Sequence, residues 1–321
     1  MFCISLFLLF FLNATLSIKI CSFNVRSFGE AKRARPEVID VIVKVISCCD
    51  IMLLMEIKDN SNKICPLLIE NLNGGQIGEE YDYVISKRLG RKSYKEQYAF
   101  IYRSNVVSVK QTYQYPDIQP GDVDAFSREP FVVWFKSPKT VVQEFVIIPQ
   151  HTTPETAVRE IDELYDVYLD VKQRWKSKNF IFMGDFNADC GYVPKKHWKN
   201  IRLRTHSEFV WLIGDKNDTT VRNSTNCAYD RIVIHGEKLI DAVVPNSAGI
   251  IDFQKAFGMI EEQALEVSDH FPVVFELKTT QSFLNGPRSL AANKRKTRTL
   301  HHLSTKVPWI LLLSSFVCTL K

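Results

Sequence analysis

Glu56, His151, Asp185, Asn187, Asp230, Asp269 and His270 share a placing: each stands where a short apolar run begins or stops. The run IMLLMEIKD yields Glu56, IIPQHTTPE yields His151, and NFIFMGDFNADC yields Asp185 and Asn187. EVSDHFPV carries Asp269 and His270, ICSFNVRSFGE carries Asn24, and CAYDRIV sets Asp230 directly before a run. Any one of these reads as an ordinary turn or cap, because Asp and Asn are common turn formers. A repeated pattern of run ends bearing carboxylates and two histidines points to chemistry instead. Glu56, Asp185 and Asp269 are hard oxygen donors, and Asn24 adds a neutral one, a set that suits Mg²⁺. Two imidazoles beside carboxylates can be held in fixed tautomers as acid and base. Together they fit metal-assisted hydrolysis of a phosphodiester, one imidazole activating water and the other serving the leaving oxygen. Which histidine is the acid stays open.

Such a set needs strands that end at one edge, and the chain supplies strand-length runs. They are Ile18–Val25, Ile51–Ile57, Tyr81–Ser86, Tyr98–Tyr102, Val106–Val109, Phe131–Phe135, Phe145–Ile148, Phe180–Met183, Arg231–Ile234 and Phe271–Leu277, each bounded by polar or turn residues. Helical patterns fall between some of them. PEVIDVIVKVISCC opens on Pro36, suited to a first helical turn. In PETAVREIDELYDVYLDVKQRW, Val158, Ile161, Leu164, Tyr165, Tyr168, Val171 and Trp175 recur at spacings of three and four. Many strands and few helices predict an α/β fold of two packed sheets flanked by helices, rather than an alternating parallel sheet. The 321 residues are 45% hydrophobic, which excludes a disordered chain and permits a sizeable core.

The two ends differ from the body. MFCISLFLLFFLNATLS, residues 1–17, reads as a secretory signal peptide, with Thr15 and Ser17 as the small residues before the cut, although no positive charge precedes its apolar run. Seven of the 41 Lys and Arg lie from Phe283 onward with no acidic residue among them, so the excess positive charge belongs to the tail. Residues 283–306 form a basic tail and residues 307–321 a hydrophobic segment. Two readings compete for them. Ala291, Ala292 and Asn293, a polar spacer and the apolar end resemble a GPI-attachment signal, with a membrane-interacting tail as the variant reading. Alternatively the retained KRK cluster attracts polyanions or serves as a nuclear localisation signal. Of eight cysteines, six lie outside these two ends, and no CxxC or Cys/His zinc spacing occurs. Secretion permits disulfides, and Asn217 and Asn223 open glycosylation sequons.

With RLGRKSYKEQYAF, DAFSREPFVV, HTTPETAVREIDELYDVY and STNCAYDRIV added, the chain from residue 18 to 282 resembles the secreted deoxyribonuclease I family, its gamma branch above all. A lone SDH or GDFN would mark only the wider endonuclease/exonuclease/phosphatase superfamily; the ordered set is specific. The resemblance implies a four-layer sandwich of two packed, mostly antiparallel β-sheets flanked by helices. It also implies cleavage of double-stranded DNA with low sequence specificity to 5′-phosphate and 3′-hydroxyl ends, using Mg²⁺ and Ca²⁺, with Mn²⁺ as a substitute. His151 and His270 match the catalytic histidines, and Glu96 and Asp230 their carboxylate partners. Glu56 matches the principal Mg²⁺ ligand, with Asn24, Asp185, Asn187 and Asp269 around metal and scissile phosphate. Arg26, Lys58, Arg91, Tyr94 and Arg128 match DNA contacts. Asp124 and Glu129 match Ca²⁺ ligands, and Cys190 is expected to pair with Cys227. Asp189 is left as a turn residue.

Three departures qualify the likeness. DIQPGDVDAF contains no cysteine where the prototype has a small disulfide loop, so the Ca²⁺ loop is not clamped. The Asp218–Thr225 loop differs by a residue in length, so a second Ca²⁺ set is not carried over. Lys87 and Phe131 fall on the prototype's actin-binding surface and differ in charge or bulk, which predicts weak or absent inhibition by actin. A monomer acting on extracellular or apoptotic DNA and chromatin is the expected biology. The rivals are another superfamily phosphodiesterase, which RLGRKSYKEQY and CAYDRIV argue against, and an inactive DNA- or actin-binding module, which the intact acid–base set argues against.

Overall fold

The computed structural model describes residues 17–75, 80–118 and 124–280. The expected signal peptide and both tail segments lie outside these residues, apart from Ser17. Twelve strands are described: β1 Ser17–Phe28, β2 Ile51–Ile57, β3 Tyr81–Ile85, β4 Gln97–Arg103, β5 Ser108–Gln114, β6 Phe131–Ser137, β7 Gln143–Pro149, β8 Phe180–Asp185, β9 Phe209–Trp211, β10 Asp230–His235, β11 Gly249–Ile250 and β12 Val273–Lys278. They form two six-stranded sheets, ordered β11-β12-β1-β2-β4-β3 and β5-β6-β7-β8-β10-β9. Each sheet has one parallel pair, β1 with β2 and β7 with β8, and its other pairings are antiparallel.

The sheets pack face to face over a core containing Phe100, Phe135, Ile147, Met183 and Phe275. The helix Pro36–Ser47 buries Val38, Ile42, Val45 and Ile46 in that same core. The helix Ala157–Trp175 covers the second sheet with Ile161, Leu164, Tyr168 and Val171, which pack with Phe180 and Phe182. A turn of 3₁₀-helix at Pro154–Thr156 precedes it, and Lys176, at φ 54°, ends it in the left-handed region. Helix, sheet, sheet and helix are the four layers expected.

Strand direction explains why the polar run ends meet. Because β1 and β2 are parallel, Asn24 and Glu56 arrive at the same edge. Because β7 and β8 are parallel, so do His151 and Asp185. β4, β10 and β12 run antiparallel to β2, β8 and β1, so it is their starts that reach this edge, with Glu96, Asp230 and His270. The last strand begins at Val273 rather than the expected Phe271, because Pro272 has no N–H for the ladder. A bulge between Asn24 and Phe28 carries β1 beyond its expected end.

Two disulfides join described residues. Cys190–Cys227 closes the loop after β8 onto the segment before β10, as the resemblance implied. Cys21–Cys49 ties β1 to the end of the helix Pro36–Ser47, a pairing that spacing left undecided. Among the described residues no helix is long and apolar enough to cross a membrane.

Candidate active site

Asp185 is the centre of the arrangement. It is buried, and its Oδ2 lies 3.6 Å from Nε2 of His151 and 3.6 Å from Nε2 of His270. The same oxygen accepts from Asn24 Nδ2 at 3.0 Å, while Oδ1 accepts from the Asn187 backbone N–H at 3.0 Å. The preceding Gly184 sits at φ 143°, and a Cβ there would stand 2.0 Å from the Gln150 carbonyl. Only glycine lets β8 approach the end of β7 so closely.

Each imidazole is backed by a carboxylate. His151 Nδ1 is 2.6 Å from Glu96 Oε1, and His270 Nδ1 is 2.7 Å from Asp230 Oδ2. Burial opposes charging of His151, and the Arg128 guanidinium opposes it too, but Glu96 and Asp185 outweigh both and raise its pKa. Burial also opposes charging of His270, yet Asp230, Asp185 and Asp269 raise its pKa well above the ordinary value. Thr219 Oγ1 donates to Asp230 Oδ2 at 2.9 Å. On the other arm, Arg128 Nε lies 3.1 Å from Glu96 Oε1 and donates to the His151 carbonyl at 2.8 Å. Tyr98 Oη accepts the His151 N–H at 2.8 Å, and burial raises its phenol pKa.

Glu56 completes the edge. Its Oε1 accepts from Asn24 Nδ2 at 3.2 Å and its Oε2 from the Ser27 N–H at 2.8 Å, with Lys58 Nζ 3.1 Å away. Burial would raise its pKa, but His151, the Ser27 N–H and Lys58 prevail and bring it down to about 2. Asn24 bridges Glu56 and Asp185 through its amide, while its Oδ1 accepts from the Arg26 N–H at 2.9 Å. The oxygen foreseen as a ligand is therefore already engaged. Two carboxylates held close through one amide are a hard-oxygen donor set that fits a small divalent cation. Asp185, Asp230 and His270 also bring potential ligand atoms within 4.8 Å of one another. Because His270 Nδ1 and Asp230 Oδ2 already share a hydrogen bond, that cluster reads as an acid–base pair rather than a cage.

The remaining expected residues divide into surface and support. Tyr94 is exposed, and Lys58 Nζ lies 4.3 Å from its ring centroid. Arg26 is half-exposed and lies 3.5 Å from Asp269 Oδ2. Arg91 is exposed, and its Nη2 donates to the Asp124 carbonyl at 2.7 Å. Arg128 and Asn187, by contrast, are buried. Arg128 secures Glu96 and the His151 backbone, and Asn187 donates to the Thr152 carbonyl at 3.1 Å. Asp189 does more than turn the chain: its Oδ2 accepts from the Ala228 N–H at 2.8 Å, joining the loop after β8 to the segment that presents Asp230.

Beside Asp124 and Glu129 stands Asp117, a further acidic residue of the same interval. Burial raises its pKa, against the N–H groups of Phe126 and Ala125, and the nearby Asp124 and Glu129 raise it further. Its Oδ2 accepts from Phe126 N–H at 2.8 Å. Only its place within an acidic interval, Asp117 to Glu129, could have drawn attention to it.

The Endonuclease/Exonuclease/phosphatase family signature matches residues 21–270, a span that holds every residue of this edge. The chain belongs to that family. Among family proteins it is similar to deoxyribonuclease gamma of Homo sapiens, with 62% identity over 291 residues, covering 90% of this chain and 95% of that protein. It is 50% identical to deoxyribonuclease-1 of Oryctolagus cuniculus over 258 residues, covering 80% of this chain and 91% of the relative. Among solved structures, an endonuclease/exonuclease/phosphatase family protein from Bacteroides thetaiotaomicron superposes with a TM-score of 0.55 at 17% identity, covering 81% of this chain and 97% of that one. That likeness is one of fold.

Proposed function

We propose that this chain is a secreted, divalent-metal-dependent endodeoxyribonuclease that hydrolyses double-stranded DNA to 5′-phosphate and 3′-hydroxyl ends. The observation that carries this reading is the pair of carboxylate-backed imidazoles, each with Nε2 3.6 Å from Asp185 Oδ2. Family membership and the two deoxyribonuclease relatives support it. Glu96 and Asp230 hold their imidazoles by Nδ1, leaving each Nε2 on the Asp185 side for proton transfer. One takes a proton from water and the other gives one to the leaving 3′ oxygen. Glu56 and Asp185, with Asp269 alongside, would hold Mg²⁺, which supplies charge neutralisation at the phosphate when bound. Mn²⁺ offers the same chemistry, and Asp124 and Glu129, at the positions that match Ca²⁺ ligands, would take part in holding Ca²⁺.

Arg26, Lys58, Arg91 and Tyr94 form the DNA-facing set. Their contacts are of the backbone and groove type, which carry little base identity. Arg128 and Asn187 act from beneath by fixing His151 and its following turn. The protein works as a monomer on extracellular or apoptotic DNA and chromatin. The basic tail either extends its reach to polyanionic substrates and, in the cell, serves nuclear entry, or is lost on attachment of a GPI anchor; mass spectrometry of the mature C-terminus separates the two. Actin inhibition is weak or absent, and nanomolar inhibition of cleavage by monomeric actin would overturn that part.

Nicking of supercoiled plasmid in Mg²⁺ and Ca²⁺ tests the activity. The expected product is a nicked circle that DNA ligase reseals, as 5′-phosphate and 3′-hydroxyl ends require. An intact plasmid, or nicks that ligase cannot close, would refute the reading.

A further inference from the structure

Lys32 lies outside every motif above, yet it touches both halves of the site. Its Nζ donates to the carbonyls of Val25 at 2.6 Å, Arg26 at 2.6 Å and Val267 at 2.7 Å. Val25 and Arg26 belong to the bulge at the end of β1, where Arg26 and Ser27 sit at φ 42° and 51°. Two successive left-handed non-glycine residues are strained and persist only where surroundings over-determine them. The bulge takes carbonyls out of the sheet ladder, and they need partners. Val267 ends the helix Glu261–Val267, whose last carbonyls also lack intrahelical donors. One ammonium with three N–H groups meets all three oxygens.

These carbonyls flank the residues that do the chemistry. The bulge carries Asn24, Arg26 and Ser27, and the Ser27 N–H holds Glu56. Val267 directly precedes Ser268, Asp269 and His270. A second tie runs parallel: buried Ser268 donates Oγ to the Asn24 carbonyl at 2.6 Å and accepts from the His270 N–H at 3.1 Å. Arg26 also bridges the segments, through Asp269 at 3.5 Å.

We infer that Lys32 is a positioning residue for DNA cleavage, an ammonium tripod that locks the β1 bulge against the segment bearing Asp269 and His270. It fixes Arg26 and Glu56 relative to His270. This rests on the role given to those residues above. An arginine at this place keeps the charge, but it reaches further and its planar fork cannot converge on three carbonyls as an ammonium does.

The test compares wild type, Lys32→Met, Lys32→Arg and the core truncation Val45→Ala in plasmid cleavage, at a temperature where circular dichroism shows each folded. Val45 is buried in the helix Pro36–Ser47, away from the site edge, and serves as a control for simple destabilisation. Lys32→Met is expected to raise KM and lower kcat, with a combined loss in kcat/KM on the order of 100-fold, as small misplacements of reacting groups produce. Lys32→Arg is expected to fold and fail to restore either parameter, and it carries the test if Lys32→Met does not fold. Val45→Ala is expected to keep both parameters. Wild-type kcat and KM in either folded Lys32 variant would overturn the inference while leaving the nuclease reading intact. An inactive wild type would overturn the site reading on which it stands.

Discussion

The two imidazoles of the site are built alike and tuned apart. Both use Nδ1 to meet a buried carboxylate and face Asp185 with Nε2. Behind Glu96, however, stands a guanidinium, Arg128, whereas behind Asp230 stands a neutral hydroxyl, Thr219. A cation near His151 opposes its protonation; no cation is among the leading influences on His270. In both pairs the partner carboxylate and Asp185 raise the imidazole, and the charges around the pair set the difference: Arg128 opposes protonation of His151, whereas Asp269 adds to the bias of His270, leaving it the more strongly biased to imidazolium.

The strongest way to break the comparison is to neutralise the carboxylates. Glu96→Gln and Asp230→Asn should each lower kcat by about 10²- to 10⁴-fold, because the imidazole loses both its orientation and its stabilised cation. Residual pH–rate profiles then sharpen the assignment: the variant whose alkaline limb moves to lower pH has lost the partner of the general acid. Unchanged profiles in both would separate these carboxylates from proton transfer.

A subtler change makes the arms more alike. Arg128→Met removes the cation that opposes His151, so the His151 pKa should rise towards that of His270, while His270 itself stays put. Histidine Hε1 resonances followed through a pH titration read this directly, and a fall in the His151 pKa would contradict it.

The smallest effect is on stability. His270 has a folded pKa above its unfolded one, so its pairing with Asp230 stabilises the fold fully below about pH 6.5 and loses that contribution as pH rises through the folded value. Metal-free wild type should therefore unfold at lower denaturant as pH climbs over that window. Asp230→Asn should flatten the slope, and an equally steep slope in that variant would show that the pair is not its source.

The polar ends of apolar runs were legible as a set because a strand must stop, and a buried strand stopping at a carboxylate is unusual when repeated. The convergence of those ends follows from strand direction, which local pattern does not encode; the resemblance implied it, and the parallel pairs β1–β2 and β7–β8 produce it. What escaped notice acts on backbone. Lys32 meets three carbonyls, Asp189 an N–H, and Asp117 the N–H of Phe126. Such contacts demand a position in space rather than a partner residue type, so no spacing announces them. The resemblance puts Arg128 among the DNA contacts and Asn187 beside the scissile phosphate, and a motif match carries no information on depth; in the structure both are buried.

His151 and His270 are expected to act as one catalytic unit across Asp185. Plasmid-cleavage kcat for His151→Ala, His270→Ala and the double variant tests this most directly. Each single change should cost nearly as much as both together, as in other sites whose members act as a unit. Multiplying losses, with the double variant far below either single one, would contradict it.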